Sequence, residues 1–214
     1  MIDPDVDPVG AQGVRGVCGG VDWGFSRDAH ALTVIAALPE RDERGRQRYW
    51  IPHLEERFAL SYEQWIDRLA EVAGVLSFSV LAAETNGCGS MPSQVLARRL
   101  WETLGRDLVE PVATTSKVKE DAFGFIKLLL QQHRLVLPRH PSLLRQLSAL
   151  EFSITEAGTM RIAVPERAGH DDVAMSLALA VLPLMGAELV PVVYGILDME
   201  DLDPELADWS ISLY

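Results

Sequence analysis

The chain has 214 residues, 48% of them hydrophobic, and a formal net charge of −12. That suits one large domain with its own core. No membrane span is expected, since no apolar run approaches the ~18–20 residues required, and no secretory signal is expected, since no basic stretch leads into an apolar one. Two cysteines, Cys18 and Cys88, lie outside any CxxC pattern, so neither a disulfide framework nor a thiolate metal knuckle is expected. They fit small buried residues in a reducing cytoplasm.

Residues 1–14 read as a flexible lead-in punctuated by Pro and Gly. Val17 to Val21 is a short apolar run around Gly19 and Gly20 that ends at Asp22. After a turn through Gly24-Phe25-Ser26-Arg27, His30 to Leu38 forms a more continuous second strand. Residues 41–48 are a charged hairpin loop containing Gly45. Arg48 to Phe58 is a third strand, in which Pro52 calls for an edge or a bulge because it has no N–H to donate. Short connections between these three predict an antiparallel meander.

The period then lengthens. Ser61 with Gln64 three positions on forms a capping box, followed by the apolar stripe Trp65, Leu69, Val72 and Leu76. Phe78 to Glu84 reads as a strand and Thr85 to Ser90 as a turn. Pro92 stands near the start of a helix with Val95, Leu96, Leu100 and Leu104 on one face. Leu108 to Ala113 is a short strand, Thr115 opens a helix running to His133, and Leu135 to Pro138 is a brief extended piece. Pro141 to Leu150 is helical. Glu151–Thr155 and Thr159–Val164 form a hairpin turned at Glu156-Ala157-Gly158. Asp171 to about Met185 is a helix apolar on nearly every face, hence buried. A meander, then alternating helix and strand, then a closing central helix is a mixed α/β domain over residues 15–190.

The charge is uneven. From Ala168 onward there is no Lys or Arg, and nine acids account for −9 of the −12, leaving −3 for residues 1–167. Residues 191–214 form an acidic tail that repels phosphates and suits docking on a basic partner or shielding the domain's own basic surface. Net acidity predicts weak, salt-sensitive binding of nucleic acid by the isolated domain.

Chemistry concentrates on acids at element ends. A lone Asp after a strand is usually a turn former or a helix cap. Asp22 has Gly24 close behind it, which permits close approach of backbone and phosphate. Asp28, just before the second strand, either faces Asp22 across the hairpin to bind a second metal or its water, or is a plain turn residue. Glu84 ends an aliphatic strand at the rim of the core, before a small, flexible turn. Asp171 and Asp172 open the apolar helix, where one acid suffices to cap it for ~0.3–1 kcal/mol. Both together, with His170, exceed that need. Because adjacent helical residues diverge by ~100°, one of the pair faces the site: Asp172 is taken as the primary ligand and Asp171 as its support or a second ligand.

Carboxylates are costly to bury unless a cation neutralises them. Gathered, they form a cage for Mg²⁺ or Mn²⁺, which prefer oxygen ligands. Two such ions ~3.5–4 Å apart activate water and stabilise the leaving oxygen in phosphodiester hydrolysis. Asp22, mid-sheet, is the bridging candidate. Of the histidines, His30, His53, His133 and His140 read as structural or exposed, and His170 as orienting the site. Trp23 either stacks on a base or sugar or, more commonly for such a residue, is core.

The order of these acids resembles the ribonuclease-H-like nuclease and resolvase fold. More narrowly, Gly20-Val-Asp22-Trp-Gly-Phe-Ser-Arg-Asp28, Ala83-Glu84-Thr-Asn-Gly, Ser116-Lys-Val-Lys-Glu-Asp-Ala-Phe and Gly169-His-Asp-Asp172-Val-Ala-Met-Ser-Leu-Ala-Leu-Ala resemble the C-terminal nuclease domain of phage large terminase subunits. The resemblance covers roughly residues 15–187. It implies a ribonuclease-H-like mixed sheet, an antiparallel meander plus parallel strands, flanked by helices. It implies a metal-dependent endonuclease that cuts double-stranded DNA with little sequence preference during packaging, in the cytoplasm of an infected bacterial host. By the same resemblance Asp22, Glu84 and Asp171 or Asp172 are metal ligands, Asp28 is an additional acid, and Lys117 and Lys119 lie near the DNA path. First-turn solvated lysines remain an equal reading of those two. The chain has no GxxxxGK[ST] phosphate loop, so a packaging ATPase domain or subunit is expected as partner, with portal and small terminase. Two alternatives stand beside this reading: a Holliday-junction-resolvase-like nuclease, which predicts junction preference, and a catalytically inactive docking module.

Overall fold

The structure, a computed structural model, describes residues 15–24, 28–154, 160–165 and 170–186. The expected lead-in, residues 25–27 of the first turn, the turn at Glu156–Gly158 and the acidic tail lie outside them. Three strands form the expected meander: β1 (Arg15–Asp22), β2 (His30–Arg41) and β3 (Gln47–Arg57). β1 and β2 run antiparallel, pairing Cys18 with Ile35 through Asp22 with Ala31. In the β2–β3 ladder Val34 pairs with His53 but Ala36 pairs with Trp50, so Ile51 and Pro52 together stand opposite Ile35. This bulge is where the missing N–H of Pro52 is absorbed.

Serine 61 caps α1 (Tyr62–Val75) in the predicted capping box, its Oγ accepting from Gln64 N at 3.2 Å while Gln64 Oε1 accepts from Ser61 N at 2.9 Å. The chain then returns through β4 (Ser77–Glu84), parallel to β1, α2 (Ser90–Leu104), and β5 (Val109–Val112), parallel to β4. α3 (Ser116–Gln131) leads to β6 (Leu135–Val136), which pairs parallel with Tyr49 and Trp50 of β3. The six-stranded sheet has the order β5-β4-β1-β2-β3-β6. α4 (Pro141–Ala149) precedes a separate two-stranded sheet of β7 (Glu151–Ile154) and β8 (Met160–Ala163), and α5 (Asp172–Gly186) closes the described chain. None of the described helices is long and apolar enough to cross a membrane.

Each face of the sheet has its own core. Val17, Val21, Trp65, Leu69, Phe78, Leu96 and Leu100 fill the side covered by α1 and α2. Cys18, Ile35, Phe123, Ile126, Leu143, Leu177 and Val181 fill the side covered by α3, α4 and α5. β1 alternates between them, as a central strand must. Its glycines let both layers close: a Cβ on Gly20 would lie 2.0 Å from Ser176 O and 2.3 Å from Ala180 N, so α5 rests directly on the strand backbone. One hydroxyl pair bridges the layers there. Ser176 Oγ donates to Val173 O (2.9 Å), so Thr33 Oγ1 supplies the proton of the 2.7 Å Thr33–Ser176 bond.

A buried ion network stiffens β3 against α1. Glu55 is fully buried and accepts from His53 Nε2 (2.8 Å), Arg57 Nε (3.1 Å) and Arg68 Nη2 (2.8 Å). Burial pushes its carboxyl up, but the bonds from His53 and Arg68 outweigh that and hold it at about 2. A carboxyl depressed in the folded state contributes stability above its unfolded pKa and loses it as pH falls through the folded one. Glu55→Ala is therefore expected to cost about 3 kcal/mol in urea unfolding at pH 7 by stranding its cationic partners. The gap between mutant and wild type should close as pH falls towards 2; a gap independent of pH would refute this origin.

Candidate metal centre

Strand register brings the first two acids together. β1 and β4 pair Gly20 with Ala82 and Val21 with Ala83, so Asp22 and Glu84 are next in line on the same face. Cys18, Gly20 and Asp22 alternate onto the side covered by α5. Asp22 is 7% exposed. Burial pushes its carboxyl well above the usual range, and a hydrogen bond with Glu84 and the charges of Glu84, Asp172 and Asp171 push the same way. Four carboxylates thus share one neighbourhood where β1 and β4 end and α5 begins.

Asp172 occupies the first turn of α5, 8% exposed, and its Oδ2 accepts from Ala29 N at 3.1 Å. Burial raises its carboxyl to about 6; the Ala29 bond and His170 oppose the rise, while Asp28 and Asp171 add to it. Asp171 caps the helix with its backbone, its carbonyl accepting from Met175 N at 2.7 Å. A further contact fixes this helix start: Gln146, buried on α4, accepts from Ala174 N at 2.8 Å.

Glu84 is held at both its ends. Its backbone oxygen accepts from Ser93 Oγ at 2.9 Å, and Ser93 in turn accepts from Trp23 Nε1 at 2.9 Å. Its Oε1 accepts from the Thr114 hydroxyl, onto which Asn86 Nδ2 also donates at 2.8 Å. The turn after β4 folds tightly over the strand end; a Cβ on Gly89 would lie 2.5 Å from Glu84 O. Ser93, Asn86 and Thr114 were not among the expected site residues. Only the small-residue turn after Glu84 hints at them, because their partners lie as far as seventy positions away.

The other expected residues sit around this cluster. Asp28 Oδ1 is 2.9 Å from His170 Nδ1, a pair on the open rim, so Asp28 is turned to His170 and Asp172 rather than to Asp22. Gly24 permits the close approach of Asp28, since a Cβ there would lie 2.5 Å from Asp28 O. Lys117 and Lys119 stand in the first turn of α3, just beyond Thr114; Lys117 is exposed and paired with Asp121 at 2.6 Å. Trp23 is core, 6% exposed. His30 is structural: its Nδ1 accepts from Gly24 N at 3.1 Å, Nε2 donates to Leu60 O at 3.2 Å, and its ring stacks on Trp65.

Among the described residues no three Asp, Glu, His or Cys side chains stand in ligating position about one point. Three of the acids instead have a protein partner: Asp22 has Glu84, Glu84 has Thr114, and Asp172 has Ala29 N–H. The donor set is nevertheless all oxygen and mutually repulsive at neutral pH. That is the chemistry a hard divalent cation compensates.

Comparison with known proteins follows the same lines. Two solved structures of the large terminase nuclease from thermophilic phage G20c, one with bound magnesium and one with bound cobalt, are each 25% identical to this chain. Each aligns over 77% of this chain and 79% of its own, with TM-scores of 0.60 and 0.59. This chain has the fold of a large-terminase nuclease domain. The terminase-nuclease fold is shared more distantly with the HK97 bacteriophage large terminase, at 15% identity, TM-score 0.55, and 84% coverage of this chain against 42% of that one. In sequence, the large terminase subunit of Thermus phage G20c is 24% identical over 163 residues, or 76% of this chain. The chain spans only 30% of that relative's length. No family model matches.

Proposed function

We propose that this chain is a metal-dependent endonuclease that cuts double-stranded DNA during phage genome packaging. The observation that carries the reading is the gathering of Asp22, Glu84, Asp171 and Asp172 where the inner strands β1 and β4 end and α5 begins, in a terminase-nuclease fold. Asp22, Glu84 and Asp172 would hold Mg²⁺ or Mn²⁺, with Asp171 as a further ligand. Bound there, two such ions would activate water and stabilise the leaving oxygen. The chain's own part is placement. Asp22 and Glu84 project from adjacent paired strands, and Asp172 from a helix start tied to Ala29, the residue before β2, so the acids are held without large loops. Asp28 and His170 form the rim on one side, and Lys117 and Lys119 lie where a phosphate backbone would approach from the other. Residues 15–190 would constitute the nuclease, working in the host cytoplasm with a packaging ATPase, portal and small terminase.

The test is cleavage of supercoiled plasmid in Mg²⁺, Mn²⁺ or EDTA. Nicking and linearisation with either metal and none in EDTA are expected. Cleavage that persists in EDTA, or preference for a four-way junction over linear duplex, would overturn the reading.

A further inference from the structure

We infer that Thr114 is a positioning residue for the metal centre, orienting the Glu84 carboxylate through a one-way hydrogen-bond relay that begins at Asn86; this rests on the metal-centre reading above. Thr114 lies between β5 and α3 and is 6% exposed. Asn86 Nδ2 contacts both Thr114 O (3.0 Å) and Thr114 Oγ1 (2.8 Å). A backbone carbonyl only accepts, so the NH₂ end of the Asn86 amide must face Thr114, and the amide orientation is unambiguous. Its two protons serve the two oxygens. The Thr114 hydroxyl therefore receives from Asn86, and its single proton is directed to Glu84 Oε1.

The relay fixes one oxygen of Glu84 as an acceptor and leaves the carboxylate's remaining lone pairs for Asp22 and a cation. It also extends the β4–β5 ladder, which pairs Glu84 with Val112 and ends with Thr85 N donating to Val112 O at 2.8 Å, into the two turns that follow. Asn86 belongs to the turn after β4, and Thr114 to the turn after β5, where the next residue, Thr115, caps α3 through Val118 N (3.3 Å). Glu84 N-terminal to one turn and Lys117 C-terminal to the other are thereby held at a fixed separation. Hydrogen-bonded partners of ligating carboxylates commonly tune metal affinity by ~10–100-fold.

The experiment measures Mn²⁺ binding to the full chain by titration calorimetry, for wild type, Thr114→Val, Thr114→Ser, Asn86→Ala and Asp22→Asn, with unfolding midpoints of the metal-free proteins alongside. Thr114→Val keeps shape but has no proton to give, and should weaken Mn²⁺ binding by about 10–100-fold. Serine restores the donor and should recover affinity to near wild type. Asn86→Ala, at an exposed position that does not test the core, should weaken binding in the same direction by a smaller factor and carries the test if the valine variant fails to fold. Wild-type affinity in Thr114→Val or in Asn86→Ala, or failure of serine to rescue, overturns the role of Thr114 while leaving the metal centre standing. Wild type binding Mn²⁺ no better than Asp22→Asn overturns both.

Discussion

Asp22→Asn should abolish metal-dependent cleavage while making the metal-free protein more stable than wild type. Both results come from the same fact: Asp22 is buried against three other acids. Its carboxyl is raised in the folded state, so its contribution to stability is present below the unfolded pKa and is lost as pH rises through the folded one. Ionising the group at neutral pH therefore works against folding. Asparagine removes that charge at nearly the same volume and still offers Glu84 a hydrogen bond. The activity loss should be at least ~10²–10³-fold, the scale on which a single preorganised electrostatic contact acts in catalysis. A thermal melt separates the two effects. Wild type should gain about 2.7 kcal/mol when Mg²⁺ is a hundredfold above its dissociation constant, and Asp22→Asn should gain nothing. A variant that melts lower without metal and higher with it would contradict the argument.

Gly20→Ala should be far more damaging than its one added carbon suggests. The new Cβ would lie 2.0 Å from Ser176 O and 2.3 Å from Ala180 N, both backbone atoms of α5. No rotamer change relieves that contact, so the helix must lift. Overpacking ordinarily costs ~1–3 kcal/mol, and a clash with two backbone atoms of one helix places this variant at about 3 kcal/mol. Lifting α5 also moves Asp171 and Asp172 relative to Asp22, and a misplacement of ~1 Å can cost ~10²-fold in rate. Gly74→Ala in α1 is the matched control, since nothing lies within 4 Å of a Cβ there. It should be neutral or gain up to ~1 kcal/mol from helix propensity. Urea unfolding with plasmid cleavage on both variants decides the matter; equal stability of the two would refute the packing argument.

Much of this architecture can be read from local patterns. The meander, the capping box at Ser61, the strand ending at Glu84 and the apolar last helix are all properties of contiguous residues, and Pro52 announces a bulge in β3 by chemistry alone. Strand ends are softer: β2 runs on to Arg41 rather than stopping at Leu38, because pairing with Gln47 extends the ladder into charged sequence. The site divides along the same line. Asp22, Glu84 and the Asp171–Asp172 pair stand where elements end, and ends are legible. Thr114, Ser93, Gln146 and Gly20 are not legible, because each gains its role from a partner in another element. Asp28 shows the difference within one short turn: the hairpin suggests Asp22 across from it, whereas His170, which only tertiary folding brings near, is its partner.

Gly20 and α5 also bear on when the site comes into being. Some 150 residues separate Asp22 from Asp172, and α5 rests on β1 and β2 at the centre of the sheet. At ~5–20 residues per second of synthesis, the meander and β4 leave the ribosome well before the helix that completes the cluster. A nascent chain holds Asp22 and Glu84 without Asp172, and its glycine-lined strand face lies open until the helix arrives. If the proposed metal centre is correct, it is complete only once α5 has docked.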